Sequence, residues 1–263
     1  MGGTLQSVAL WSPKGGVGKS VLAAALALKL AERQPTVLID GNPENPDVTS
    51  LLRVPGYPNV TSWTPPSGRA ELESRLVRHS NRLWVLPGPP RYVEEGALTG
   101  PVMESVLEAC IGAGFTVVVD LGVSLRDSTV AALDRVDRVL IPVTPDLLAV
   151  APLRRIRAEL DLLRMPESKF RVVVNRLTNS GEITLEDIEA FSDFAVAGVV
   201  PHSPELAAAV NRGEFALALG ADTPVGRAVA SLTAPLLDEE PVVLARPRRL
   251  LGGLLLSLRR GGT

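Results

Sequence analysis

The sequence predicts an α/β fold, a doubly wound and mostly parallel sheet with helices on both faces. Three observations predict it. Short β-rich apolar runs alternate with helical patterns along most of the chain. The runs are continuous rather than alternating, as strands buried on both faces require. A glycine-rich turn, Ser12-Pro13-Lys14-Gly15-Gly16-Val17-Gly18-Lys19-Ser20, joins the first run to the first helical pattern.

Taken in order, the first predicted strand covers 7–11 and the alanine- and leucine-rich helix after the turn covers 21–33. A second strand at 36–39 leads into the acidic stretch Asp40-Gly41-Asn42-Pro43-Glu44-Asn45-Pro46-Asp47. The Pro/Gly-rich segment 54–68 reads as a surface connection long enough to be a partner-contact excursion, with Trp63 either an exposed anchor or a cap on the core. Further strands are expected at 83–86, 116–119, 139–143, 171–174 and 196–200. Segment 87–90 reads as another surface connection. Helices are expected at 101–113, 147–164, 185–194, 205–212 and 224–236, and His79 is read as a solvated residue of a charged helix. Ligands of such folds sit outside the carboxyl ends of the strands, which gathers Asp40, Asp120 and Asn175 around the glycine-rich turn.

At 263 residues the chain can bury a real core, and 46% hydrophobic with 21% charged residues is ordinary globular composition. A net charge of −2 supplies no chain-wide basic field, so nucleic acid is the less expected partner. Cys110 is alone, which excludes an intramolecular disulfide and suits a reducing compartment; it reads as a small buried hydrophobe. No stretch of about 18 apolar residues and no secretory leader pattern is found, so a cytoplasmic, non-spanning chain is expected.

The glycine-rich turn is a phosphate cradle. Backbone N–H groups of Gly15, Gly16, Val17, Gly18 and the start of the helix through Val21 can curl around an anion, the helix aims its positive end at the same point, and Lys19 adds a full charge. Ser20 stands where a hydroxyl ligand for Mg²⁺ is expected. The ordinary P-loop spelling needs a glycine where this chain has Pro13; instead it carries a second lysine, Lys14. That spelling resembles the deviant Walker A of the MinD/ParA family of positioning ATPases. The resemblance implies a P-loop ATPase domain over 1–240, ATP and Mg²⁺ as cofactors, and a homodimer in which Lys14 reaches the partner's phosphates.

Asp120, after its strand, matches a Walker B carboxylate, and with Ser20 and Asp40 completes the expected metal set. Leu121-Gly122-Val123-Ser124 replaces the proline- and glycine-bearing switch of relatives, which weakens the case for sensing the γ-phosphate there. Asn175-Arg176 resembles the family's base-reading pair, with a turn-capping role as the rival, and Pro201 begins the segment that lines the base in relatives. The resemblance places catalysis on Lys14, Lys19, Asp40 and Asn42. Asn42 falls where relatives carry an aspartate that positions or activates water. An amide can orient water but cannot take its proton, so slow hydrolysis is expected, with Asp40 and Asp47 as possible substitutes.

Residues 241–263 change character. Leu250, Leu251, Leu254, Leu255 and Leu258 share one helical face bracketed by arginines, a pattern that reads as a basic amphipathic tail lying on an anionic membrane, or else as a helix docked on its own domain or a disordered end. Two such tails on an ATP-held dimer bind far better than one. Segment 139–145 with the arginine-bearing helix after it, segment 183–187 and segment 201–213 resemble the CpaE/TadZ branch, which places Flp-type pili, and the tail resembles MinD. The expected role is ATP-dependent placement of a pilus, secretion or division machine at the inner face of the cell membrane. A ParA-like DNA partition ATPase using Arg154, Arg155 and Arg157 is the alternative, and a metabolic P-loop enzyme fits less well because no second set of catalytic residues stands out.

Overall fold

The computed structural model describes residues 5–90, 96–178 and 183–237. Among these residues eight strands form one sheet in the order β3-β4-β2-β5-β1-β6-β7-β8. They are β1 (Ser7–Leu10), β2 (Thr36–Gly41), β3 (Val77–Arg78), β4 (Leu83–Leu86), β5 (Thr116–Leu121), β6 (Arg138–Val143), β7 (Phe170–Leu177) and β8 (Val196–Pro201). All neighbours run parallel except the short edge strand β3, which pairs antiparallel with β4.

All seven predicted strands are present, and the reason is visible in their packing. Along β1, Val8 and Leu10 face one core while Ala9 faces the other, and Leu38 and Val118 are split from Ile39 and Val119 in the same way. A strand with apolar contacts on both faces has no polar side to spare, hence the continuous runs. One face is covered by α1 (Lys19–Ala31) and by α10 (Pro224–Thr233), which follows α9 (Pro204–Arg212); the other by α4 (Gly100–Gly112), α5 (Asp127–Arg135), α7 (Pro152–Leu162) and α8 (Leu185–Ser192).

The structure departs from the sequence reading in particular places. The expected helix 147–164 is two helices, α6 (Leu147–Val150) and α7, because Pro152 cannot donate an amide into a continuous helix and sits instead at the first turn of the second. The short α2 (Val48–Leu52) and α3 (Arg69–Ser74), together with α5, were absent from the reading. Each is short or interrupted by polar residues. Segment 87–89 is buried, not a surface connection: a Cβ on Gly88 would stand 3.2 Å from the Asp40 carboxyl carbon. His79 is not helical; it follows β3, half-buried, with its imidazole pushed toward neutrality by burial. Trp63 takes the inward role, donating from Nε1 to Ser105 Oγ on α4 at 3.1 Å and packing on the core. Cys110 is buried, and burial pushes its thiol up to about 12, so it is inert.

Candidate nucleotide-binding site

β1 ends beneath the glycine-rich turn and α1 starts directly after it, with Gly18 as its N-cap. Gly16 and Gly18 have φ of 77° and 92°, left-handed values that side-chain-bearing residues resist. A Cβ on Gly18 would also stand 2.5 Å from Asn175 Nδ2. The turn forms one wall of a cavity of about 390 Å³, shared with Lys19, Ser20, Asn42, Asp47 and Arg176. That volume suits a small-molecule ligand.

Directly behind the wall two strand-end carboxylates meet, for Asp40 on β2 is the register partner of Asp120 on β5. Both are fully buried. Burial and then the neighbouring Asp120 hold the Asp40 carboxyl well above the ordinary carboxylate range. Burial likewise raises Asp120 to about 7, against the opposing pull of the Ser20 hydroxyl and the Lys19 ammonium. Burial lowers Lys19, and Asp120 and Asp47 draw it back.

The two carboxylates differ in what they hold. Asp40 accepts from the Asn42 amide N–H at 3.3 Å and from the Val48 N–H at 3.2 Å, so it fixes the loop after β2. Both Asp120 oxygens are buried with no hydrogen bond of normal geometry. Two adjacent buried carboxylates, one of them with unsatisfied oxygens beside a serine hydroxyl, fit a hard divalent cation such as Mg²⁺. Among the described residues no three His, Cys, Asp or Glu side chains form a metal cage, and the Ser20 hydroxyl beside Asp120 is a further oxygen donor for such a cation.

Asn42 is buried and occupied. Its Nδ2 donates to Asn45 O at 2.7 Å, closing the turn that Asn45 N–H also closes onto Asn42 O at 3.2 Å. A Cβ on Gly122 would come within 2.8 Å of Asn42 Oδ1, so the loops after β2 and β5 touch. Asn175 Nδ2 donates to Val17 O at 2.7 Å, and its Oδ1 accepts from Arg176 N–H at 3.0 Å. Arg176 has φ of 58° at a register irregularity between β7 and β8, which turns its side chain onto the cavity wall.

Of the residues singled out from sequence, Gly15, Gly16, Gly18, Lys19, Ser20, Val21, Asn42 and Arg176 line the cavity. Val17, Asp40, Asp120 and Asn175 lie buried at its back. Lys14 is exposed and is not itself in the wall, though it adjoins the wall residue Gly15; its backbone N–H donates to Ser12 Oγ at 3.4 Å. Pro201 closes β8 and is not in the wall. The reading missed Glu44, Asn45, Ser50, Leu51 and Val123 as wall residues. For Ser50 the signal was available: it stands one turn beyond Asp47 on a helix that packs against α1.

This arrangement of turn, lysine, serine and paired strand-end carboxylates agrees with the sequence comparison, in which residues 8–217 match the CobQ/CobB/MinD/ParA nucleotide binding domain. The chain belongs to this family. Within the MinD/ParA family it is 24% identical over 233 residues to an uncharacterized ATP-binding protein of Methanocaldococcus jannaschii, covering 88% of this chain and 87% of that one. It is 25% identical over 214 residues to the septum site-determining protein MinD of Thermotoga maritima, covering 78% and 79%. The fold matches MinD complexed with Mg-ADP from Pyrococcus horikoshii with a TM-score of 0.73 at 17% identity, over 87% of this chain and 94% of that one.

Proposed function

We propose that this chain is an ATP-binding, ATP-hydrolysing switch that dimerises around nucleotide and places a cellular machine on a membrane. The observation that carries the reading is the glycine-rich turn with two lysines in distinct settings, Lys19 buried against Asp120 and Lys14 exposed beside the wall. A buried lysine at a helix N-terminus serves a phosphate bound to its own chain. An exposed one beside the wall is free to serve a second copy. Relatives described as ATP-binding and as MinD, and a similar fold carrying Mg-ADP, support the nucleotide and metal part.

Ser20 and Asp120 would hold Mg²⁺, which when bound neutralises phosphate charge. Lys19 and the turn amides bind and orient the phosphates, and Asn175 keeps the turn in shape from behind. Asn42 offers no carboxylate to take a proton from water, and its amide donor is committed to Asn45, so turnover is slow and the ATP-bound dimer long-lived.

Residues 241–263 lie outside the described residues; their leucine and arginine pattern supports a membrane contact there, giving a cytoplasmic protein peripheral to the inner face of the membrane. Among the described residues no helix is long and apolar enough to cross a membrane. The machine placed is a pilus, secretion or division apparatus. DNA partition is less favoured because the arginines of α7 are engaged: Arg155 pairs with Glu159 at 3.0 Å, Arg157 with Glu167 at 2.6 Å, and Arg154 lies over the Phe191 ring.

Sedimentation and liposome pelleting, each with ATP, ADP or neither, test the reading. ATP should produce a dimer, and liposomes of anionic lipid should pellet the full chain with ATP but not a chain ending at 240. Salt-sensitive binding to nonspecific DNA in place of liposomes would overturn the membrane assignment.

A further inference from the structure

We propose that Arg126 is the residue that reads the γ-phosphate in this chain, and that Glu44 holds it in reserve until that phosphate arrives. The inference rests on the ATP reading above and deepens it. Glu44 stands on the loop after β2 and forms part of the cavity wall. Its Oε1 accepts three bonds from the loop after β5: from Ser124 Oγ at 2.9 Å, from Arg126 Nε at 2.9 Å and from Arg126 Nη2 at 2.9 Å. Arg126 is the N-cap of α5, and Val123, three residues before it, is itself a wall residue.

The guanidinium therefore lies one carboxylate away from the nucleotide space. Its side chain is 38% exposed, so part of it already faces solvent. Charge decides what happens when a triphosphate enters. The cavity and its back wall carry the carboxylates Glu44, Asp47, Asp40 and Asp120, against Lys19 and Arg176, with Lys14 beside the wall. A terminal phosphate adds negative charge on the Glu44 side, which disfavours Glu44 there and attracts Arg126. Arginine's planar fork binds a phosphate as well as it binds a carboxylate, so the two partners compete for one group.

The exchange has a structural consequence. The Glu44 contacts bridge the two loops that flank the cavity, which also approach each other where Asn42 meets Gly122. Moving Arg126 from Glu44 to phosphate converts loop-to-loop bonding into loop-to-nucleotide bonding. A diphosphate, lacking the terminal group, leaves the bridge in place. This supplies γ-phosphate discrimination in a chain whose 121–124 segment, Leu-Gly-Val-Ser, carries no proline.

The test compares the affinity of the full chain for ADP and for a nonhydrolysable ATP analogue with Mg²⁺, by titration calorimetry, in wild type, Arg126→Gln, Glu44→Gln and the double variant. Arg126→Gln should weaken the ATP analogue about tenfold or more and leave ADP within about twofold. Glu44→Gln should raise the ratio of analogue to ADP affinity several-fold, and in the double variant that ratio should fall to the value of Arg126→Gln alone. ADP affinity doubles as the measure of an intact fold. Equal effects of Arg126→Gln on both nucleotides, or no effect on either, would overturn the inference alone. Failure of the wild-type chain to bind either nucleotide would overturn the ATP reading and this inference with it.

Discussion

Asn175 at the end of β7 donates through Nδ2 to the Val17 carbonyl in the glycine-rich turn at 2.7 Å, reaching past the intervening strand β6. The bond links residues 158 positions apart and is buried. It makes the turn's shape depend on a strand that does not pair with β1.

Asn175→Ala leaves a buried carbonyl unsatisfied and should cost about 1–3 kcal/mol of stability in urea unfolding. Nucleotide affinity should fall as well, because the turn amides lose their fixed directions. Asn175→Asp should be worse than Asn175→Ala, since a carboxylate set against the Val17 carbonyl replaces a donor with a repelling acceptor. Equal affinity of Asn175→Ala and wild type would mean the turn holds its shape unaided.

Asn42→Asp should push two measurements in opposite directions. A carboxylate cannot donate to Asn45 O, and it adds charge beside buried Asp40 and Asp120, so stability of the nucleotide-free protein should drop by about 1–3 kcal/mol. Restoring a group able to take a proton from water should raise steady-state ATP turnover by ~10²-fold or more. Brisk wild-type turnover that Asn42→Asp leaves unchanged would remove the case for a slow switch.

The sheet was legible in the sequence because burial on both faces writes itself as continuous apolar runs, and the phosphate-binding turn was legible because its chemistry is local. Contacts made across the sequence were not. Nothing near Asn175 says that it bonds to Val17, and nothing in 42–47 says that Glu44 meets Arg126. Helix α5 was missed because Asp127, Ser128, Thr129 and Asp134 break its apolar stripe to a few positions, Ala131, Ala132 and Leu133 being its buried apolar residues. The break at Pro152 was visible as a residue and was outweighed by the periodicity around it.

Lys14 and Lys19 should separate when each is replaced by alanine. Lys19→Ala removes a buried ammonium that faces Asp120, so nucleotide binding itself should be lost, as titration of the monomer would show. Lys14→Ala should leave monomer binding nearly intact and reduce ATP-dependent dimer formation measured by sedimentation. A Lys14→Ala chain that dimerises like wild type would count against a role for Lys14 in the partner's site.

The buried carboxylates should make stability fall as pH rises. Asp120 titrates near 7 when folded and near the ordinary aspartate value of about 4 when unfolded. Between those values the folded state binds more protons than the unfolded state, so its stabilising contribution is complete below about pH 4 and is lost as pH climbs through 7. Asp40, raised for the same reason, acts in the same direction. Thermal midpoints of the metal-free, nucleotide-free protein should therefore decline from pH 5 to 7.5, and Asp120→Asn should flatten the decline. An unaltered slope in Asp120→Asn would assign the pH dependence to other groups.

Two glycines in helices should respond oppositely to alanine, because one is hemmed in by backbone and the other is not. A Cβ on Gly226 in α10 would lie 2.1 Å from Gly220 O and 2.6 Å from Leu219 O, main-chain atoms that no rotamer change can move. The Gly226 N–H is also held by the Thr223 hydroxyl at 2.9 Å, which fixes the first turn of the helix against that carbonyl. Gly226→Ala must push α10 away from its neighbours and should cost roughly 1–3 kcal/mol or more in urea unfolding. A Cβ on Gly112, at the end of α4, meets nothing within 4 Å, and no left-handed φ is required there. Gly112→Ala should gain up to about 1 kcal/mol through helix propensity and a less disordered unfolded chain. Destabilisation by both would show that the end of α4 needs glycine for a reason other than space, whereas tolerance at Gly226 would require α10 to sit further from the Leu219–Gly220 turn.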